Sequence, residues 1–174
     1  MIRYRPQIVE ASSFALIAYE WVRPLAQWTG QRRCLEIMCG RGVLAKALWD
    51  CGVTVVATDD QSWGLGEQWW RRCAWVEVEK LDCVAAIEKY GPVSDLVICS
   101  WPPPEDPSAH RALLKMREVA PQARMIYIGE ENPLVNADTA FFRDAVKIAD
   151  DAFYTAISNF KRAPGIKDVP ILLR

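Results

Sequence analysis

The sequence predicts a doubly wound α/β domain: a mostly parallel seven-stranded sheet, closed by an antiparallel terminal strand, with helices on both faces. Three observations predict it. The stretch Cys34–Asp60, CLEIMCGRGVLAKALWDCGVTVVATDD, reads as strand, glycine turn, helix, turn, strand. Strand-like and helix-like segments then keep alternating as far as residue 150, the pattern of a parallel sheet covered by crossover helices. The chain ends in two strand-like runs joined by a short KRAPG turn. A hairpin there makes the last strand antiparallel and sets it inside the sheet edge. With 174 residues the simplest organisation is one domain over 1–174, large enough to bury its own core.

Residues 10–28 carry Phe14, Ile17, Ala18, Trp21 and Leu25 at helical spacing. Ser12 or Ser13 is the expected cap, and Pro24 is expected to kink the helix or start a second segment. This N-terminal segment, 1–30, should pack on the core. After the central βαβ unit, residues 67–73 read as a short helix and Trp75–Val78 as a third strand. Asp82 caps a helix that stops at Gly91. SDLVICS (94–100) is a short apolar run bounded by turn signals, hence a buried parallel strand. WPPPEDPS is a stiff loop, because consecutive prolines fix φ and remove donors. AHRALLKMREVA (109–120) is a helix, and ARMIYIGEEN (123–132) a fifth strand ending at Glu130 and Glu131. Residues 137–150 read as a helix, DAFYTAISNF (151–160) as a sixth strand and DVPILLR (168–174) as a seventh.

Hydrophobic residues make up 51% and charged residues 25% of the chain, a globular balance that excludes disorder. A net charge of -1 offers no basic field for nucleic acid or an anionic membrane. The six cysteines contain no C-x-x-C pair and His110 is the only histidine, which argues against a Cys/His zinc cluster. Cys34 and Cys99 lie in apolar runs, where cysteine behaves as a small hydrophobe. The polar start, MIRYRPQIVE, lacks the apolar region of a signal peptide. Reduced thiols in a cytoplasmic protein are the expectation.

The candidate site begins at the glycine turn. Gly40 and Gly42 allow backbone to approach a ligand and lead into a helix with free N–H donors. Glu36 stands inside the strand before them. Asp59 ends the next strand, where a carboxylate can accept both hydroxyls of a ribose; Asp60 beside it is a second hydroxyl ligand or a solvated turn residue. Together they make half of a nucleoside site. Gly40-x-Gly42-x-x-Ala45 also satisfies the dinucleotide fingerprint, but an acid inside the first strand suits a pyrophosphate poorly. Glu130 and Glu131 stand at the carboxyl edge where α/β sheets place ligands, as substrate anchor or base on one reading and as solvated charge on the other. Trp63 or Trp101 is suited to stack on a base or face a cation. Trp69–Trp70 and Trp75 read as core or as a partner surface, and a Trp-rich surface would serve self-association.

This element order, with these residues, resembles the class I, Rossmann-like S-adenosylmethionine (SAM)-dependent methyltransferases over essentially the whole chain. The family's first motif is an acid with glycine at +4 and +6, here Glu36, Gly40 and Gly42; Met38 stands where members commonly carry a further glycine. The acid ending strand two is Asp59, and Leu81–Asp82–Cys83 has the form of the third motif, an acid facing the adenine amine. The fourth motif lies after strand four, where this chain reads SWPPP. Members that methylate amino groups of nucleic acid or protein amides show Asn, Asp or Ser followed directly by Pro-Pro and an aromatic. Here Trp101 intervenes after Ser100, and Glu105 stands where the aromatic would be.

The resemblance implies SAM as cofactor, held by Glu36, Met38, Gly40, Gly42, Asp59, Asp60, Asp82 and Ser100. It implies an acceptor side formed by Ser100, Trp101 and Glu130. The expected activity is methyl transfer to a nitrogen or oxygen nucleophile of a small molecule or a protein, with nucleic acid a less favoured partner and no membrane association. Two other readings stand beside it. One is a SAM-binding regulatory or assembly subunit without catalysis, and the other a nucleic-acid amino-methyltransferase that uses the SWPPP loop.

Overall fold

A computed structural model describes residues 16–62 and 72–174. In chain order the elements are α1 (Tyr19–Thr29), β1 (Cys34–Ile37), α2 (Val43–Asp50), β2 (Val55–Asp59), β3 (Glu79–Lys80), α3 (Cys83–Tyr90), a 3-10 turn at Gly91–Val93, β4 (Leu96–Ser100), α4 (Ser108–Val119), β5 (Arg124–Gly129), α5 (Thr139–Asp144), α6 (Asp151–Ala156) and β6 (Val169–Leu173). The six strands form one sheet in the order β3-β2-β1-β4-β5-β6. Strands β1 to β5 run parallel, with Cys34 opposite both Val55 and Leu96. Strand β6 is antiparallel to β5, pairing Tyr127 with Ile171.

Strand alternation divides the core into two layers. Cys34, Val55, Ala57, Leu96, Ile98, Ile126, Ile128 and Leu172 face one side, where α1, α2 and α6 cover them with Trp21, Leu25, Leu44, Leu48 and Phe153. Leu35, Ile37, Val97, Cys99, Met125, Tyr127, Ile171 and Leu173 face the other, under α3, α4 and α5. Burial on both faces is why β1, β4 and β5 read as continuous apolar runs. The N-terminal helix belongs to the first layer: Trp21 meets Phe160 and Trp28 meets Phe153, both edge to face.

The order β1 to β5 with intervening helices agrees with the sequence, and four expectations change. Segment 151–160 is not a strand. Asp150 accepts the Phe153 N–H at 2.8 Å and caps α6, and Phe153, Ile157 and Phe160 recur at helical spacing against the first layer. Helix α5 stops at Asp144 rather than running to 150. Beyond it the Ile148 N–H donates to the Leu172 carbonyl and the Arg174 N–H to Val146. The backbone there turns to β6, in a single isolated bridge between Lys147 and Leu173. The described residues therefore form six strands rather than seven, and the terminal hairpin is absent. Strand β3 falls at Glu79–Lys80 instead of Trp75–Val78, because Val76 and Val78 pack over the glycine turn. Helix α1 runs through Pro24 without ending there.

The expected caps Ser12 and Ser13, the apolar Phe14, the tryptophans 63, 69 and 70, and residues 67–71 of the expected short helix lie outside the described residues; Arg72 and Cys73 are helical. All six cysteines are free thiols. No helix among the described residues is long and apolar enough to cross a membrane.

Candidate functional site

The carboxyl edge of the parallel strands collects the unusual backbone. Among the described residues, the non-glycine residues with positive φ are Met38, Gln61, Trp101, Glu105 and Ala137. They follow β1, β2, β4 and β5 and so lie in the loops of one sheet edge. Left-handed backbone costs a side-chain-bearing residue about 1 kcal/mol or more, and such strain gathers where a site needs a particular shape.

The first half of that edge is the glycine turn. Gly42 has φ +72, and a Cβ there would stand 2.4 Å from Val76 Cγ2, so only glycine fits. Met38 has φ 50; the position where a glycine is commonest in the resembling family is one whose backbone favours glycine. Asp59 is 4% exposed and ties the turn down. Its Oδ2 accepts the Gly40 N–H at 2.8 Å and its Oδ1 the Gln61 N–H at 2.7 Å. Burial pushes the Asp59 pKa up to about 6, against the lowering effect of those two N–H groups. Asp60, the next residue outward, is exposed and accepts the Ser62 N–H at 2.9 Å.

Glu36 lies below this turn. It is 2% exposed, and its Oε2 has no hydrogen-bond partner. Burial raises its pKa to about 8, partly opposed by the Ala45 N–H it accepts, while the charge on Asp59 raises it further. At neutral pH the carboxyl is mostly protonated, which spares the turn two adjacent buried charges. Asp82 caps α3, accepting the Val84 and Ala85 N–H groups at 2.9 and 3.1 Å through Oδ1; the residue is exposed. A cap and a ligand contact can coexist on such a carboxylate, since Oδ2 is not used by the cap.

The second half of the edge is built from β4, β5 and β6. Ser100 is the last residue of β4, opposite Ile128. The Trp101 N–H donates to the Ile128 carbonyl at 2.7 Å, and its indole Nε1 donates to Asp168 Oδ2 at 3.2 Å. The proline loop is held in place by Asn136, which is 1% exposed. Its Nδ2 donates to the Pro102 carbonyl at 3.0 Å and its Oδ1 accepts the Glu130 N–H at 2.8 Å. The Tyr127 hydroxyl donates to the Glu130 carbonyl at 2.7 Å. Glu130 accepts the Lys167 N–H at 2.9 Å through Oε1. Gly129 must be glycine: a Cβ would lie 2.6 Å from Tyr127 Oη and 3.0 Å from Asn136 Oδ1.

Glu36, Met38, Gly40, Gly42, Asp59 and Asp60 thus share one corner of the edge, and Ser100, Trp101 and Glu130 the neighbouring one. Asp82 opens α3, next to β3 at the far side of the sheet. Trp75 is half exposed and adjoins the glycine turn, its N–H on the Arg41 carbonyl at 2.8 Å. Sequence reasoning missed Asn136 and Asp168. Asp168 is 1% exposed and, like Glu36, keeps one oxygen without a partner, Oδ1. An acid directly before a run as apolar as VPILL, at the start of a strand that enters at the ligand edge, is the signal that would have found it.

Among solved structures the chain is similar to a SAM-dependent methyltransferase from Archaeoglobus fulgidus, at 16% identity and a TM-score of 0.50, over 90% of this chain and 94% of that one. The fold is that of a SAM-dependent methyltransferase. It is also similar to a TehB-like SAM-dependent methyltransferase from Corynebacterium glutamicum, at 13% identity and a TM-score of 0.48, over 98% of this chain and 95% of that one. No protein-family model matches the chain, and neither does any curated protein.

Proposed function

We propose that the protein is a SAM-dependent methyltransferase that acts on a nitrogen or oxygen nucleophile of a small molecule or a protein. The observation that carries the reading is the corner formed by Gly40, Gly42 and Asp59, a glycine turn pinned by the Asp59 carboxylate through the Gly40 N–H, placed at the carboxyl edge of a fold shared with a SAM-dependent methyltransferase. The donor set fits SAM. The cofactor has no pyrophosphate, and its amino-acid end needs hydrogen-bond acceptors and backbone groups of the kind this turn presents, with the buried acid Glu36 beneath it.

Gly40, Gly42 and the Met38 backbone would hold the amino-acid end of the cofactor, Asp59 and Asp60 the ribose, and Asp82 the adenine amine. Asp60 is the accessible carboxylate of the pair, while Asp59 fixes the turn on which both depend. Bound there, SAM supplies an electrophilic methyl group carried on a sulfonium. The chain's own contribution is to position the acceptor, exclude water and hold a proton. Ser100, Trp101 and Glu130 are the residues adjoining the cofactor corner, so the acceptor would be placed against them. The Pro102 carbonyl is already engaged by Asn136, which favours a small-molecule or protein acceptor over an SWPPP loop that clamps a nucleobase amine.

Isothermal titration with SAM, its demethylated product S-adenosylhomocysteine and NAD tests the cofactor. The two sulfur compounds should bind and NAD should not. Asp59→Ala should abolish the binding; undiminished affinity would move the ribose contact elsewhere. Glu130→Gln should lower methyl transfer in a substrate screen while leaving cofactor affinity intact.

A further inference from the structure

Asp168 is a buried acid with no structural use for one of its oxygens. Its Oδ2 takes the Trp101 indole N–H, and its backbone carbonyl takes Arg162 Nε at 2.7 Å. Its Oδ1 takes nothing. Leaving a buried acceptor unpaired costs about 1–3 kcal/mol, and more for a charged group, so the arrangement needs a reason. Position supplies one. Because β6 is antiparallel, its first end lies at the carboxyl edge of β4 and β5, with Val169 opposite Gly129. Asp168 therefore joins Trp101 and Glu130 in one corner, although 67 residues separate it from Trp101. The Glu130 carboxylate is close enough to act electrostatically on Asp168, and so is the Arg162 guanidinium.

We propose that Asp168 is the acceptor-side anchor of this site and that the acceptor is an amine, whose N–H donors complete the bonding of Oδ1 beside the Trp101 indole and Glu130. The inference rests on the methyltransferase reading. A pair of carboxylates is a setting that selects an ammonium over a hydroxyl: the cation gains a charge-assisted hydrogen bond, and a neutral alcohol gains no charge term. The carboxylate also gives the proton a destination. An ammonium and an Asp168 carboxylate become a free amine and an Asp168 carboxylic acid, with no further reactant, and the amine then carries the lone pair that a methyl acceptor needs. The exposed segment 161–167 is tied to this corner by the Arg162 bond to the Asp168 carbonyl and the Lys167 N–H bond to Glu130.

The test uses the full chain saturated with S-adenosylhomocysteine, with benzylamine and benzyl alcohol as probes of matched shape. Benzylamine should bind about tenfold tighter or more, the scale of a charge-assisted hydrogen bond. In Asp168→Asn the two probes should bind alike while S-adenosylhomocysteine affinity stays at the wild-type value. Should that variant fail to fold, the wild-type protein decides alone: benzylamine should shift the Trp101 indole N–H resonance, assigned with Trp101→Phe, at about a tenth or less of the concentration that benzyl alcohol needs. Equal affinities, no benzylamine binding, a preference that survives Asp168→Asn, or an unmoved Trp101 signal would each overturn the proposal. The prior titration with S-adenosylhomocysteine reports separately on the cofactor reading, and if it shows no binding the amine comparison is run on the free protein.

Discussion

The two corners of the ligand edge are built differently. The corner proposed to hold the cofactor is local: Glu36 to Asp60 lie in one βαβ unit, and a few hydrogen bonds to backbone fix the turn between its strands. The corner proposed for the acceptor is assembled at a distance, from Trp101, Glu130 and Asp168 at three strand ends and Asn136 in the loop after β5. Each corner keeps one buried carboxylate with an unpaired oxygen, Glu36 in the first and Asp168 in the second. Under the glycine turn, Glu36 is buried and accepts the Ala45 N–H. Asp168 adjoins the exposed segment 161–167 and holds an indole. A local motif can be read and can be tested residue by residue, whereas the assembled corner stands or falls as a network.

Substitutions should separate the corners. Gly42→Val should have the largest effect, since it forces a branched side chain into φ +72 and onto Val76. Strain and overpacking together predict a loss of about 3 kcal/mol or more in denaturant unfolding, and no SAM binding in calorimetry. Asn136→Ala comes next. It leaves the buried Pro102 carbonyl and Glu130 N–H without partners and should cost about 2 kcal/mol. Cofactor affinity should be unchanged, and a matching loss of it would mean that the corners are coupled.

A smaller and pH-dependent effect distinguishes Glu36. Its folded pKa of about 8 stands above the ordinary 4.5, so between those values the folded chain binds more protons than the unfolded one. The contribution of Glu36 to stability is complete below about pH 4.5 and is lost as pH rises toward 8, at up to about 1.4 kcal/mol per pH unit. Glu36→Gln should flatten that slope in urea unfolding across the same range. Asp82→Ala should be the mildest, about 1 kcal/mol for a lost helix cap. Weaker SAM binding in that variant would add a ligand contact to the cap, and unchanged binding would leave Asp82 as a cap alone.

How much of this could be read beforehand follows the same division. Glu36, Gly40, Gly42 and Asp59 were legible because sequence spacing alone brings them together; Met38 stood out there as a departure from a common glycine, and its backbone is left-handed. The order of β1 to β5 was legible from alternating apolar runs and caps such as Asp82. The end of the chain was not. DAFYTAISNF has the composition of a strand, yet the Asp150 cap and the placing of Phe153, Ile157 and Phe160 make it helical. The segment after Asp144 looked helical because its apolar residues keep that period, but its backbone groups bond to β6. Asp168 and Asn136 were invisible for a different reason: each joins the corner through a partner more than 30 residues away.

Titration calorimetry of the full chain with SAM and S-adenosylhomocysteine, repeated on Asp59→Ala, tests the central claim most directly. Saturable binding of both by the wild type and of neither by the variant is the predicted result. Absence of heat with either compound in the wild-type protein would contradict the account.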